Sequence, residues 1–511
     1  MAGGGEVPAR GNIIPLIPAR YVLSVLSSIG MAIIYGLKVN LSVAMVAMVN
    51  QTAIKATGGG DPHGPSVTLS NYTNPEECEA EPLKHGATGD QDGPFLWDAG
   101  SQGIILSCYF WGYFVSQIPG AKVAELFSAK WVMWFAVAIN VVCTLLTPAA
   151  AYLGVWPVVI MRVLEGIGGG VTFPAEHTLI AAWAPPQERS TISSIIYAGT
   201  ALGTVISMLM AGMLAEFFGW SSIFYVMGGL SCIWLVLWII FIQDSPNKQG
   251  LIDQAERDYI NTSLGSSSGH HVARKTPWKQ IFTSGPFYGI LVAHFCNNVG
   301  WYMLLIELPI YMNGVLKFAI KENAIYTATP FLTLWFFSIF ISKTLDGLRA
   351  KGAISTTTAR KIATMFASII PMCCLLALCF IGCNKMAAVV IAGIGVTSIG
   401  AMFSGFLSNH IDIAPNFAGI LMAVTNTMAT IPGITVPLFV GQLTKKDPTI
   451  ASWRIIFGIT IALYVVEIFT YLALGSGEEQ PWNKSEDEKS GPEMTPLKDK
   501  AQSDYKTKED A

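Results

Sequence analysis

MRVLEGIGGGVTFPAEHTLIAAWAPPQERS, residues 161–190, is the stretch on which the reading of the fold turns. It belongs to a long apolar run, yet it contains Arg162, Glu165 and His177. A charged side chain at the centre of a bilayer costs about 2.5–3.5 kcal/mol on insertion scales, so such residues persist where they face a partner or a wet cavity. The stretch therefore predicts a helix of a membrane bundle that lines an ion or solute path. Arg162 and Glu165 are three positions apart and share a helix face. They read either as an anion-binding arginine beside a protonatable carboxylate or as a mutual ion pair; a pair that breaks on protonation would be both.

Composition agrees with the membrane reading. Of 511 residues, 52% are hydrophobic and 13% charged, and a soluble chain of this length carries far more surface charge. The net charge of -3 is uninformative about partners, and the basic residues are scattered among short loops, which excludes a nucleic-acid surface. Eight of the nine cysteines (Cys108, Cys143, Cys232, Cys296, Cys373, Cys374, Cys379 and Cys383) lie in apolar segments and read as small core residues, while Cys78 stands alone in a polar loop. Neither a metal site nor a disulfide framework is expected. The first apolar run is too long for the core of a signal peptide and contains Lys38, so no cleaved leader is expected. No G-x-S-x-G, H-E-x-x-H or Walker A motif occurs. The chain therefore does not read as an enzyme and needs no cofactor; movement of a solute would draw on a proton or sodium gradient or run downhill.

Working outward, about twelve segments are long enough to span a bilayer core of ~30 Å. They cover roughly 21–49, 100–120, 129–151, 155–183, 192–216, 221–243, 284–312, 325–345, 361–382, 386–410, 417–441 and 453–474. A central polar loop, 244–283, divides them into a six-span half over 21–243 and another over 284–474. Residues 1–20 and the charged tail 475–511 read as disordered. Ala184-Pro185-Pro186 after the fourth segment is echoed by Ala414-Pro415 after the tenth, a sign of duplication. Two six-helix halves around a midplane site form the major facilitator architecture, an all-α membrane fold. The loop 51–99 and its border carry the sequons Asn50-Gln51-Thr52 and Asn71-Tyr72-Thr73, which places that loop, glycosylated, on the lumenal or outer side. Lys and Arg concentrate on the opposite side, so both termini and the central loop are expected in the cytoplasm.

Further polar residues interrupt the spans. Lys38 sits in the middle of the first, too far from either end to snorkel, and asks for a substrate anion or Glu165 as its partner. Tyr35 and Asn40 flank it. His177 reads as a proton relay or as a hydrogen-bonded interfacial residue. The seventh segment carries His294, Asn297, Asn298 and Glu307, the last either protonatable or merely solvated at the interface. The tenth ends on Ser408, Asn409, His410 and Asp412; Asn409 is expected to face the path and Asp412 an exposed loop. Gly166, Gly168, Gly169 and Gly170 read as a tight helix contact.

With these residues in view, the chain resembles the SLC17 family of organic anion transporters. The resemblance rests on YGLKVNLSVA, WDAGSQGIILSCYFWGYFVSQIPG, RVLEGIGGGVTFPAEH, WAPPQERS, LRAKGAISTTTARK and NHIDIAPNFAGILMAVTNTMATIPG. It covers nearly all of residues 20–483 and is strongest toward the sialic acid branch, with likeness also to the glutamate and inorganic phosphate branches. It implies that Arg162 is the family's span-4 arginine, Glu165 its acidic neighbour and His177 the histidine after the FPA turn, and that Tyr35 and Asn298 line the cavity. Three departures stand out. Lys38 replaces a usual arginine and lacks its bidentate fork. Gly169 replaces a second glutamate associated with proton coupling. Asn297 and Leu106 stand where the glutamate branch has an arginine and a histidine.

The expectation is a secondary active transporter of small organic anions, an acidic sugar or an acidic amino acid, with proton coupling and alternating access. Lys38, Arg162, Tyr35, Asn40, Asn298 and Asn409 are expected at the substrate, and Glu165, His177 and Glu307 in proton coupling. The alternatives are a sodium-coupled phosphate transporter and a non-transporting receptor. The implied setting is a monomer in a lysosomal, vesicular or plasma membrane.

Overall fold

The computed structural model describes residues 17–50, 93–97, 99–264, 276–308, 311–312, 315–316, 320–444 and 449–483. The sequon at Asn71, most of the loop 51–99 and Cys78 lie outside them. Among the described residues, twelve helical spans follow one another. Spans 1 to 3 are Ala19–Met48, Ala99–Leu126 and Ala129–Leu153. Span 4 is Val155–Gly170 with Thr172–Trp183; spans 5 and 6 are Arg189–Phe218 and Trp220–Phe241. Span 7 is Gly285–Tyr302, prolonged by a π turn at Met303–Glu307, and spans 8 and 9 are Ile320–Ala350 and Thr356–Ile381. Span 10 is Lys385–Ile399 with Phe406–Ile413, span 11 is Ala418–Thr444 and span 12 is Ile450–Leu474. The fold is the major facilitator type expected.

Among the described residues, ten of the spans, all but 2 and 7, have the length and apolar composition to cross a membrane. Large apolar side chains point outward. On span 6, Leu230, Ile233, Val236 and Ile240 are exposed while Trp234 and Trp238 are buried. Polar side chains such as Ser24, Ser27, Asn140 and Thr144 are buried instead. That inversion is what a bundle solvated by lipid requires, and the protein is a multi-pass membrane protein.

Spans 4 and 10 are both broken, and at matching places. In span 4, Val171 separates the two helices, and Pro174 sits in the first turn of the second one, where no backbone donor is needed. The offset that relates Pro185 to Pro415 carries Val171 to Ala401, inside the 3-10 turn Gly400–Phe403 that interrupts span 10. Discontinuous spans at equivalent positions of two repeats are the usual mark of a transport site. The glycines act as read. A Cβ on Gly166 would lie 2.0 Å from the carbonyl oxygen of Tyr109, and one on Gly203 would lie 2.1 Å from that of Ala32. Spans 2 and 4, and spans 1 and 5, therefore touch backbone to backbone.

Three sequence readings need correction. Order begins before residue 20: Ala19 opens span 1, and Glu256, on the central-loop helix Gln254–Leu264, accepts the amides of Ala19 (2.8 Å) and Arg20 (3.2 Å). Order also extends into the tail, because Gln480 N donates to Ile413 O (2.8 Å) and Asn416 N to Asn483 Oδ1 (3.1 Å). Short polar segments of this kind dock through backbone groups, which composition does not reveal. Finally, Cys383 is not an apolar-span thiol. It lies exposed in the turn after span 9 and is disulfide-bonded, its partner not being among the described residues.

Candidate functional site

Arg162 and Glu165 form the mutual pair: Nη1 donates to Glu165 Oε2 at 2.6 Å, with both side chains almost fully buried. The pair is tied in from both sides. Arg162 Nη2 donates to the carbonyl of Lys38 (2.9 Å), and Thr144 Oγ1 of span 3 donates to Glu165 Oε1 (2.8 Å). Glu165 is thus the partner of Arg162 and not of Lys38.

Lys38 is enclosed by rings. Its Nζ lies 5.1 Å from the ring centre of Tyr35, 5.2 Å from Tyr109, 4.6 Å from Phe110 and 5.7 Å from Tyr113. Among the described residues no carboxylate lies within salt-bridge reach of it. Tyr35 shares its helix face at three residues' distance, and the other three rings come from span 2. Cation–π attraction, ~0.5–2 kcal/mol per favourable ring, holds the ammonium group without neutralising it. Lys38, Arg162 and Glu165 together hold one more basic group than acidic ones.

The C-terminal half closes over this box. Asn426 Nδ2 of span 11 donates to Tyr113 Oη (2.9 Å) and to Gln117 Oε1 (2.7 Å), and Gln117 Nε2 donates to Thr430 Oγ1 (3.1 Å). Tyr302 of span 7 meets Phe110 edge-on with ring centres 6.4 Å apart. Asn298, half-buried, is one helical turn before Tyr302 and so lies on the same face.

A model of the Major Facilitator Superfamily matches residues 14–437 of the chain. Human sialin is 40% identical over 468 residues, which cover 91% of this chain and 90% of sialin. The chain belongs to the SLC17 family. Vesicular glutamate transporter 2 of Homo sapiens is 34% identical over 92% of this chain and 76% of that protein. The proton:xylose symporter XylE shares the fold at a TM-score of 0.64 and 14% identity, over 90% of this chain and 97% of its own. This SLC17 chain is accordingly a membrane transporter and not an enzyme.

The family frame gives Gly169 a physical meaning. A Cβ there would lie 2.0 Å from Tyr109 Oη, so the tyrosine of the Lys38 box already fills the space of any side chain at this position.

Other expected site residues are placed elsewhere. Asn40 is buried two positions beyond Lys38, off its face, with Nδ2 unpartnered. Asn409 does not face the box: its Nδ2 donates to Tyr471 Oη of span 12 (3.0 Å) inside the C-terminal half. Glu307 is not solvated; it is buried in the π turn with Oε1 unpartnered. His177 is fully buried where the halves meet. Its Nε2 contacts Leu407 O (3.0 Å), its Nδ1 contacts Phe173 O (3.1 Å) and Tyr197 Oη, and its ring stands 5.4 Å from that of His410. Of the expected residues, then, Lys38, Tyr35, Arg162 and Glu165 come together, and Asn298 lies one turn from Tyr302, which meets the box at Phe110. Asn50, described at the end of span 1, is half-buried.

Asp412 overturns the exposed-loop reading. It is buried and binds Arg189 of span 5 (3.0 Å) and Arg360 of span 9 (2.5 Å). Nearby, Asp346 at the end of span 8 accepts the amide of Thr191 (2.7 Å). These bonds latch the halves on the side of the central loop. In sequence, Arg189, Arg360 and Asp412 look like ordinary charges at span ends; only the meeting of three span ends buries them. Removing one member of a buried ionic group costs ~3–5 kcal/mol. Asp412→Asn is expected to free this face, so that spin labels at the exposed positions Gln187 and Lys351 show a longer, broader distance distribution than in the wild type. An unchanged distribution would remove the latch from the account.

Proposed function

We propose that this protein is a secondary active transporter of a small organic anion, an acidic sugar or an acidic amino acid, driven by protons through alternating access. The observation that carries the reading is Lys38: a cation within an aromatic box between the halves, without a carboxylate of its own. A monoanion would pair with that extra basic group, and Tyr35, Asn298 and the ring hydroxyls offer hydrogen bonds to its polar groups. Protonation of Glu165 would release Arg162 toward the same anion, which makes Glu165 the leading proton carrier; His177 and Glu307 are secondary candidates. A ligand shifts the two-state equilibrium only through its differential affinity for the states. Here the anion would differ between states through the Asn426 and Tyr302 side of the box, which belongs to the moving half.

The latch face, bearing the start of span 1 and the central-loop helix, is assigned to the cytoplasm. The disulfide at Cys383 supports this, since span 9 carries it to the opposite face, the side of the sequon loop, where an oxidising compartment is expected. Glycosylation at Asn71 and Asn50 belongs to that side. The similarity to sialin and to vesicular glutamate transporters supports a lysosomal or vesicular membrane.

Uptake of labelled sialic acid, glutamate and phosphate into proteoliposomes, under an imposed proton or sodium gradient, tests the reading. Proton-driven uptake of either organic anion is the expected result. Sodium-driven phosphate uptake would replace it with phosphate transport, and binding without accumulation would replace it with a receptor.

A further inference from the structure

Span 12 carries a carboxylate that the anion site does not use. Glu467 is fully buried among spans 7, 9 and 12. Its Oε1 accepts from Ser368 Oγ of span 9 (2.6 Å) and from Asn297 Nδ2 of span 7 (3.3 Å). Its Oε2 has no partner, and neither does Asn297 Oδ1, also fully buried. Asn297 Nδ2 donates as well to the carbonyl of Ala367 (3.1 Å). Among the described residues no lysine, arginine or histidine lies within salt-bridge reach of Glu467. The ionisable groups that face it are Cys296 of span 7 and Tyr464 of its own span.

Packing builds this cluster. A Cβ on Gly300 would lie 1.9 Å from Tyr464 Oη, so the tyrosine of span 12 packs directly on the bare backbone of span 7. Asn297 is one turn before Gly300 and Glu467 one turn after Tyr464, and the close approach brings the two together. An isolated carboxylate in such a place is too costly to remain charged. It needs a positive charge, and two buried oxygens of the cluster are unpartnered, Glu467 Oε2 and Asn297 Oδ1, while the Ser368 hydroxyl lies against Glu467 Oε1 and Thr364 O (2.7 Å). Oxygen ligands suit hard cations.

We infer that Glu467, Asn297 and Ser368 form a binding site for a small monovalent cation, a proton or a sodium ion, within the C-terminal half. Asn297 and Asn298 are neighbours on span 7, roughly 100° apart round the helix, so one helix carries both this site and the face whose Tyr302 meets the Lys38 box. Glu467 is a buried carboxylate outside the Lys38 cluster, at a different place in the fold. Its use in coupling rests on the transporter reading above; the cation site itself does not.

The test is thermal unfolding of the purified full-length protein, which needs no transported solute. The wild type is compared in acidic and neutral buffer, and in sodium chloride and choline chloride at one pH. The midpoint is expected to rise with the occupant, on acidification for a proton or with sodium for a sodium ion. Glu467→Gln is expected to lose that rise, while Glu216→Gln, which removes an exposed carboxylate near the end of span 5, keeps it. A wild type indifferent to both conditions, or a Glu467→Gln protein with the full wild-type response, overturns the inference. If Glu467→Gln does not fold, Ser368→Ala is used instead. It keeps the carboxylate, and half-maximal stabilisation is expected to need more acid or more sodium; an unchanged half-point overturns the inference. Failure of all three labelled anions to enter proteoliposomes counts against the transport reading and leaves this result standing.

Discussion

Replacing Lys38 by methionine is expected to reduce anion uptake by at least about thirty-fold while leaving the protein as stable as the wild type or more so. The two halves of this expectation come from the same geometry. Losing one partner of a desolvated charge contact costs ~2–5 kcal/mol of binding, and each 1.4 kcal/mol is tenfold. The folded protein without anion, however, has no carboxylate on Lys38 to strand, only rings. Methionine fills similar volume and packs well against aromatic edges. A residue kept for function at a cost in stability shows this combination. Lys38→Arg keeps the charge and is expected to retain uptake with altered selectivity, because the guanidinium offers a planar fork where lysine offers a point charge. Initial rates in proteoliposomes and unfolding midpoints of the same preparations check both halves. A large loss of stability in Lys38→Met would mean that the lysine is structural.

Arg162 is expected to behave in the opposite way. Arg162→Gln strands Glu165 in the interior, a cost of ~3–5 kcal/mol, and also releases the carbonyl of Lys38. The unfolding midpoint should fall sharply. Adding Glu165→Gln should restore most of the loss, because two neutral amides of similar size replace the buried pair. A double-mutant cycle on these positions therefore gives a large coupling energy; additive effects would mean that the 2.6 Å contact contributes little. Glu165→Gln alone also tests the proton carrier. Uptake that still follows the proton gradient in that variant would exclude Glu165 from coupling and turn attention to Glu467.

Much of this was legible in the sequence, for one physical reason: charge inside an apolar run is expensive. Arg162, Glu165 and Lys38 announced themselves that way, and the short loops with one long central break gave the two halves. The identity of Lys38's neighbours was half legible. Tyr35 follows from helix spacing, but Tyr109, Phe110 and Tyr113 depend on which spans pack together, and one sequence does not specify that. The latch was missed because Arg189, Arg360 and Asp412 lie at span ends, where charges are normally solvated. Glu467 is a different case. It is a lone carboxylate in an apolar span, the signal that picked out Lys38, and the same rule applied evenly finds it. Asn409 is placed differently from the expectation because a polar residue in a span need not face the path; this one bonds Tyr471 within its own half.

The central claim is that the Lys38 ammonium group receives the transported anion. Its most direct test is chemical protection. An amine-reactive reagent is applied to the protein in proteoliposomes, and modification at Lys38 is quantified by peptide mass spectrometry with and without sialic acid, glutamate or phosphate. The expected result is that the anion taken up by that preparation slows modification of Lys38 while surface lysines such as Lys351 react as before. Equal modification of Lys38 with and without an anion that is demonstrably transported would contradict the claim and place the binding site elsewhere.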